Sequence, residues 1–163
     1  MPSFALLDSK RHDRTAFACG EPTLDRYLKE QASQHYRDGV ATTHVLLDDE
    51  DSARILGFYT LSAAQIALTD ISEIDRRRLP RYPVPAARLA RLAVSSTEQG
   101  NGFGSLLIAH AVERCMRLRD ELGIRLLVVD ALSERAARFY TAYGFTPTSG
   151  DASTLYLSVG KSR

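Results

Sequence analysis

Tryptophan is absent from this 163-residue chain, and cysteine occurs twice, as Cys19 and Cys115. Two distant cysteines, with no Cys-x-x-Cys pair and no Cys/His cluster, build neither a disulfide framework nor a zinc site. His12, His35, His44 and His110 fall on different segments, so no metal is expected from them either. Both thiols read as packing groups of a reducing, cytoplasmic compartment. No apolar run approaches the ~20 residues that span a bilayer, and residues 1–14 lack the apolar core of a signal peptide, so a soluble intracellular protein is expected. Neither sign of charge dominates. Lys and Arg total 21 against 20 Asp and Glu, a net charge of +1, so any basic face must be local. With no internal repeat, low-complexity tract or linker, residues 1–163 read as a single domain, long enough to bury roughly two thirds of the unfolded surface and hold a cavity.

What is present starts with a strand that runs into a glycine-rich loop. Arg91, Leu92, Ala93 and Val94 form an apolar strand end, followed by Gln99, Gly100, Asn101, Gly102, Phe103, Gly104 and Ser105. Beyond the loop, Leu107, Ala111, Cys115, Leu118 and Leu122 recur at helical spacing. Glycines let backbone approach a ligand, and the unpaired N–H groups at a helix start favour an anion such as a pyrophosphate.

The rest of the chain alternates strands and helices. A short strand over 3–7 precedes a helix opened by Pro22, with Leu24, Tyr27, Leu28, Gln31, Ala32, His35 and Tyr36 on one face and Gly39 as its stop. Residues 40–47 and 54–68 flank an acidic turn at 48–51 and read as a hairpin. Residues 69–79 read as a short polar helix, followed by a rigid connector over 80–85 whose three prolines argue against a central strand. Strand character returns over 86–95, the glycine-loop helix covers 102–122, and 124–129 is nearly all aliphatic, as in a strand of a parallel pair. Ser133 can N-cap a last short helix that Gly144 closes, and a final strand fits 154–159. The class expected is α/β, a mixed sheet with helices and one parallel strand pair. Open α/β sheets bind ligands beyond the carboxyl ends of such strands.

With these motifs in place the sequence resembles the GNAT family of acetyl-CoA-dependent N-acetyltransferases. Gln99-x-x-Gly102-x-Gly104 matches its Arg/Gln-x-x-Gly-x-Gly/Ala loop, and Ala136-x-x-Phe139-Tyr140-x-x-x-Gly144-Phe145 matches its late helix and strand. His12-Asp-Arg14, Phe17-x-Cys19-Gly20, Leu24-Asp25-x-Tyr27-Leu28, Pro83-Val-Pro85, Arg91-Leu-Ala-Val94 and Asp130-Ala131 resemble its toxin branch. Members of that branch acetylate the α-amine of aminoacyl-tRNA, and a ribbon-helix-helix antitoxin restrains them. The resemblance implies a central twisted sheet with helices on both faces and a parallel pair that splays apart, with acetyl-CoA as cosubstrate, no metal, and a homodimer. It places the pantetheine arm along Leu92, Ala93 and Val94 and the pyrophosphate on residues 99–105. Ser133, Ala136 and Phe139 line the arm's other side, and Tyr140 becomes the general acid for the thiolate. Without the resemblance, Tyr140 reads as a packing aromatic beside Phe139.

One absence bears on the substrate. A GNAT enzyme acting on lysine must deprotonate an ammonium of pKa ~10.4, commonly with an acidic residue on the strand before the loop. Residues 86–94 contain no acid. An α-amine, near ~7.7 to ~8.0 and lower beside an ester, needs no such base. Arg76, Arg77, Arg78, Arg81 and Arg88 admit two roles: surface ion pairs with Asp70, Glu73 and Asp75, or a phosphate clamp for RNA with Tyr82 stacking on a terminal base. A dinucleotide module is excluded because the chain after Asp130 is too short for a second half and Ser105 stands where Gly or Ala is wanted. A P-loop fails for want of Lys-Ser/Thr after the glycines. Still open are acetylation of a small amine or a protein N-terminus, and a catalytically silent module that binds acetyl-CoA or an antitoxin.

Overall fold

The computed structural model describes residues 1–67, 71–77, 79 and 83–159. Thirteen elements follow one another: β1 (Ser3–Leu6), α1 (Pro22–Glu30), α2 (Ala32–Arg37), β2 (Thr42–Leu47), β3 (Ile55–Ile66), α3 (Glu73–Arg76), β4 (Val84–Val94), a 3-10 turn (Ser96–Glu98), α4 (Phe103–Leu122), β5 (Leu126–Asp130), α5 (Glu134–Ala142), β6 (Thr146–Pro147) and β7 (Thr154–Ser158). The strands hydrogen-bond in the order β1-β2-β3-β4-β5-β7-β6, a mixed sheet in which β4 and β5 are parallel. The packing forms two compact units, residues 1–62 with 90–111, and residues 63–89 with 112–159 of the described chain.

In the first unit β1, β2 and β3 are antiparallel, and the expected hairpin over the acidic turn is present. A register shift between Leu46 and Leu47 lets Ile55 and Phe58, three residues apart, enter one core with Val45 and Leu47. Phe17, Leu24, Tyr27, Leu28, Ala32 and Ala93 complete that core. The single helix expected from Pro22 onward is instead two. Gln31 leaves helical geometry at φ −121°, although its N–H still reaches the Tyr27 carbonyl. Across the bend the Tyr27 hydroxyl meets His35 Nδ1 at 3.0 Å, eight residues on.

The other face of β3 carries the first half of α4. Tyr59 bonds His110 Nδ1, and His110 stacks on Phe4 with ring centroids 3.8 Å apart. At Gly57 β3 leaves no room for a side chain beside β4. A Cβ there would meet the Ala93 carbonyl oxygen at 2.9 Å and Leu107 Cδ1 at 3.0 Å.

In the second unit β4 and β5 pair in parallel register from Ala86↔Leu126 to Leu89↔Val129, and β7 flanks β5 antiparallel. Pro85 belongs to β4, which corrects the expectation that the proline segment ends before the strand. A proline is tolerated near a strand start, where its missing N–H breaks no ladder, and the Pro85 carbonyl still accepts from the Arg125 amide at 2.9 Å. The polar helix expected over 69–79 is the single turn α3, capped by Ser72 and tied through Asp75 to the Tyr156 hydroxyl at 2.7 Å; Thr69, Asp70 and Arg78 lie outside the described residues. Ile66, Ile71, Val84, Ala86, Leu126, Val128 and Tyr156 form this unit's core. The two-residue strand β6 was not expected, being too short to show a period.

In an open strand position Gly→Ala stabilises by roughly 0.5–1 kcal/mol. At Gly57 the collision with backbone dominates, so Gly57→Ala is expected to destabilise by about 1–3 kcal/mol in urea unfolding. A neutral or stabilising result would show that β3 and β4 separate freely here.

Candidate active site

The glycine loop opens where β4 ends. Ser95 N–H donates to the Leu56 carbonyl at 2.8 Å, and Ser96 N–H to that of Ala18 at 2.8 Å, which turns the chain out of the sheet. Gly100 and Gly102 adopt φ of +89° and +79°, the left-handed region that side chains disfavour, and nothing lies within 4 Å of where a Cβ would stand on either. Phe103, Gly104 and Ser105 then begin α4, so their amides have no carbonyl one turn earlier in the helix to bond. The expected strand-loop-helix arrangement is present, with an open cradle of anion-seeking N–H groups.

Two side chains do work that differs from expectation. Gln99 points inward, its Nε2 donating to the Cys19 carbonyl at 3.1 Å and the Val94 carbonyl at 3.4 Å. It pins the strand end to the loop after residue 17. Glu98 would repel an anion beside the cradle, but Arg54 holds it at 2.7 Å while also bonding Asp48 at 2.9 Å and Thr97 at 3.1 Å. Asn101 Nδ2 takes the second Glu98 oxygen at 3.0 Å. Arg54 and Glu98 escaped the sequence reading because 43 intervening residues hide the pair. The cue was a glutamate one position before an anion loop, which demands a counter-cation.

Along β4, Ala93 is buried in the first unit's core while Leu92 and Val94 are half-buried. In the second unit, Ser133 Oγ caps α5 by accepting the Ala136 amide at 3.1 Å. Ala136 and Phe139 are half-buried on that helix. Tyr140 is 7 % exposed, its ring edge-on to Phe139 and Phe145. Burial pushes its phenol up to about 12. No hydrogen bond occupies its hydroxyl among the described residues.

Of the basic cluster, Arg88 forms an ion pair with Asp130, which also accepts from Thr154 at 3.1 Å. Arg77 faces Glu73 at 3.8 Å on an exposed surface, and Arg76 is half-buried. Arg78, Arg81 and Tyr82 lie outside the described residues. Among the described residues no three His, Cys, Asp or Glu side chains are grouped to hold a metal, and no helix is long and apolar enough to cross a membrane.

Residues 40–147 match the model of the acetyltransferase (GNAT) domain. The chain belongs to the GNAT acetyltransferase family. This acetyltransferase is 37% identical, over 95% of its length and 91% of the relative's, to a tRNA-acetylating toxin of Mycobacterium tuberculosis. It is similar to the solved structure of AtaT complexed with acetyl-methionyl-tRNAfMet, at 27% identity and a TM-score of 0.90, covering 97% of this chain and 95% of that one. A mutant AtaT toxin bound to the C-terminus of the antitoxin AtaR and acetyl-CoA matches at 26% identity and a TM-score of 0.81, over 97% and 93% of the two chains.

The pKa shifts in the acetyltransferase predict its alkaline behaviour. Burial pushes the thiols of Cys19 and Cys115 up to about 11 and Tyr140 up to about 12. Each folded value exceeds the unfolded one, so the protonated forms stabilise the fold fully below pH ~9 and that stability is lost as pH rises through 11 and 12. Under reducing conditions the thermal midpoint is expected to hold to pH ~9 and then fall by roughly 5 °C or more by pH ~11. Cys115→Ala is expected to flatten part of that fall, and an equal slope in the variant would refute the assignment.

Proposed function

We propose that the chain transfers an acetyl group from acetyl-CoA to the α-amine of aminoacyl-tRNA, and thereby blocks translation as the toxin of a toxin–antitoxin pair. The observation that carries the acceptor assignment is β4 itself. Residues 84–94 hold no Asp, Glu or His, so that strand offers no base. At pH 7.5 roughly a third of an ordinary α-amine is already neutral, against about one lysine in a thousand. An aminoacyl ester lowers its amine further, so the nucleophile arrives ready. AtaT complexed with acetyl-methionyl-tRNAfMet and the tRNA-acetylating toxin of M. tuberculosis support the same acceptor.

The roles then fall on named atoms. Backbone amides of residues 99–105 bind the pyrophosphate, with the Glu98 carboxylate held by Arg54. Backbone of Leu92, Ala93 and Val94 aligns the pantetheine arm, lined also by Ser133, Ala136 and Phe139. The free amine attacks the thioester carbonyl; a C–N bond forms, the C–S bond breaks, and the Tyr140 phenol gives its proton to the departing thiolate. The proton shed by the acylated nitrogen passes to solvent, from which the phenolate is reprotonated. A phenol held near 12 stays protonated throughout the working pH range, so it is present as a donor when charge builds on sulfur. The matched segment, 40–147, takes in parts of both compact units, which supports reading 1–163 as one acetyltransferase domain. The complex of AtaT with the C-terminus of AtaR supports an antitoxin partner here, of ribbon-helix-helix type by family resemblance, as are a homodimer and a cytoplasmic location.

Labelled acetyl-CoA incubated with charged tRNAs, uncharged tRNAs, lysine peptides and peptides with free N-termini is expected to label charged tRNA alone. Label on peptide N-termini instead would move the substrate to proteins while keeping the low-pKa amine. Tyr140→Phe is expected to lower kcat about 10²-fold or more with acetyl-CoA binding intact. Unchanged turnover would remove the phenol from the mechanism.

A further inference from the structure

Five arginines of the described residues face acids: Arg54 with Asp48 and Glu98, Arg77 with Glu73, Arg88 with Asp130, Arg117 with Glu113, Arg138 with Glu134. Arg91 is built differently. It sits on β4 next to Leu92, half-buried, with its guanidinium carbon 3.7 Å over the centroid of the Tyr27 ring. No carboxylate of the described residues pairs with it, and none of its N–H groups is engaged in a hydrogen bond among them. The platform beneath is rigid: Tyr27 is 1% exposed, and its hydroxyl is held by His35 at 3.0 Å across the bend at Gln31.

A guanidinium stacked flat on a ring satisfies its face and leaves its forked N–H edge free in the ring's plane. Holding such a cation half-desolvated without an acid is unfavourable unless an anion completes it. Position indicates which anion. Strands rise ~3.3 Å per residue, so Arg91 stands roughly 10 Å back along β4 from Val94 and farther from the loop assigned to the pyrophosphate. An arm running from that loop along Leu92–Val94 brings its acetyl end, and with it the acceptor, towards Arg91.

We propose that Arg91, stacked on Tyr27, binds a phosphate of the acceptor RNA and so places the aminoacyl end for attack. The inference rests on the proposed transfer to aminoacyl-tRNA. It also moves acceptor recognition away from Arg88, whose charge Asp130 already cancels.

The test compares wild type, Arg91→Met, which keeps an apolar stem over Tyr27, and Arg91→Lys, which keeps the charge but loses the fork. For each, kcat and KM are measured for charged tRNA and for acetyl-CoA between about 50 and 200 mM salt. Arg91→Met is expected to raise KM for charged tRNA about tenfold and to make the slope of log(kcat/KM) against log[salt] shallower by roughly 0.7, one phosphate contact. KM for acetyl-CoA is expected to stay within about twofold. Arg91→Lys is expected to keep the wild-type slope with a raised KM for charged tRNA. An unchanged salt slope in a folded Arg91→Met, or a rise confined to KM for acetyl-CoA, overturns the inference; the latter would give the phosphate to coenzyme A. Should Arg91→Met lose its thermal transition, Arg91→Lys decides alone, and an unchanged KM for charged tRNA overturns it. A wild-type enzyme inactive on charged tRNA sinks the substrate reading as well, whereas an active wild type with a silent Arg91 sinks this inference only.

Discussion

The close approach of β3 to β4 at Gly57 is the constraint on which the candidate site depends. With no side chain at 57, the Ala93 carbonyl and Leu107 come within 3.0 Å of the vacant Cβ position, so the end of β4 and the first turns of α4 are both set from one point on β3. Ser95 bonding back to Leu56 and Gln99 bonding back to Val94 then fix where the loop departs. An anion cradle made of backbone amides is only as accurate as its backbone. Here that accuracy comes from packing beneath the loop, because the loop's own glycines contribute none.

Features written in consecutive residues were legible in the sequence. The glycine loop, the stripe of α4, the Ser133 cap and the aliphatic run of β5 each state their geometry locally, and the structure has them close to where the pattern set them. Features that depend on distant partners were hidden. Gly57 looks like a flaw in a strand until Ala93 is placed against it, and Arg54 looks like the edge of an acidic turn until Glu98 is opposite. The break at Gln31 had no local sign, since neither proline nor glycine marks it. Across it Tyr27 meets His35 and Ala32 is buried, contacts between residues that no local pattern pairs. Pro85 was misjudged because a proline's cost to a sheet depends on whether its missing N–H would have been used.

The chemistry follows the same division between what β4 supplies and what it withholds. Placing apolar residues and arginines where a lysine-acetylating enzyme needs a base leaves deprotonation to the substrate, and only an amine of low pKa can meet that condition at neutral pH. The buried phenol of Tyr140 complements this choice. Its shift to about 12 makes it a poor base at any working pH, so it can take no part in activating the amine. It therefore meets the departing sulfur as a protonated phenol, a hydrogen-bond donor to the charge that builds as the C–S bond breaks.

A net charge of +1 would seem to disfavour an RNA substrate, and magnitudes show why it need not. Exposed arginines paired with acids at the surface contribute little, because water and salt already screen them and the acid cancels the field a phosphate would feel. Arg77 is of that kind, and Arg88, though half-buried, is paired with Asp130. A cation that is half-buried, stacked and unmatched keeps its whole charge in a region of lower dielectric, where one phosphate is worth more than several at the rim. The overall balance of acids and bases therefore says little about the acceptor, since recognition of this sort is concentrated at single sites such as Arg91 that a sum over the chain averages away.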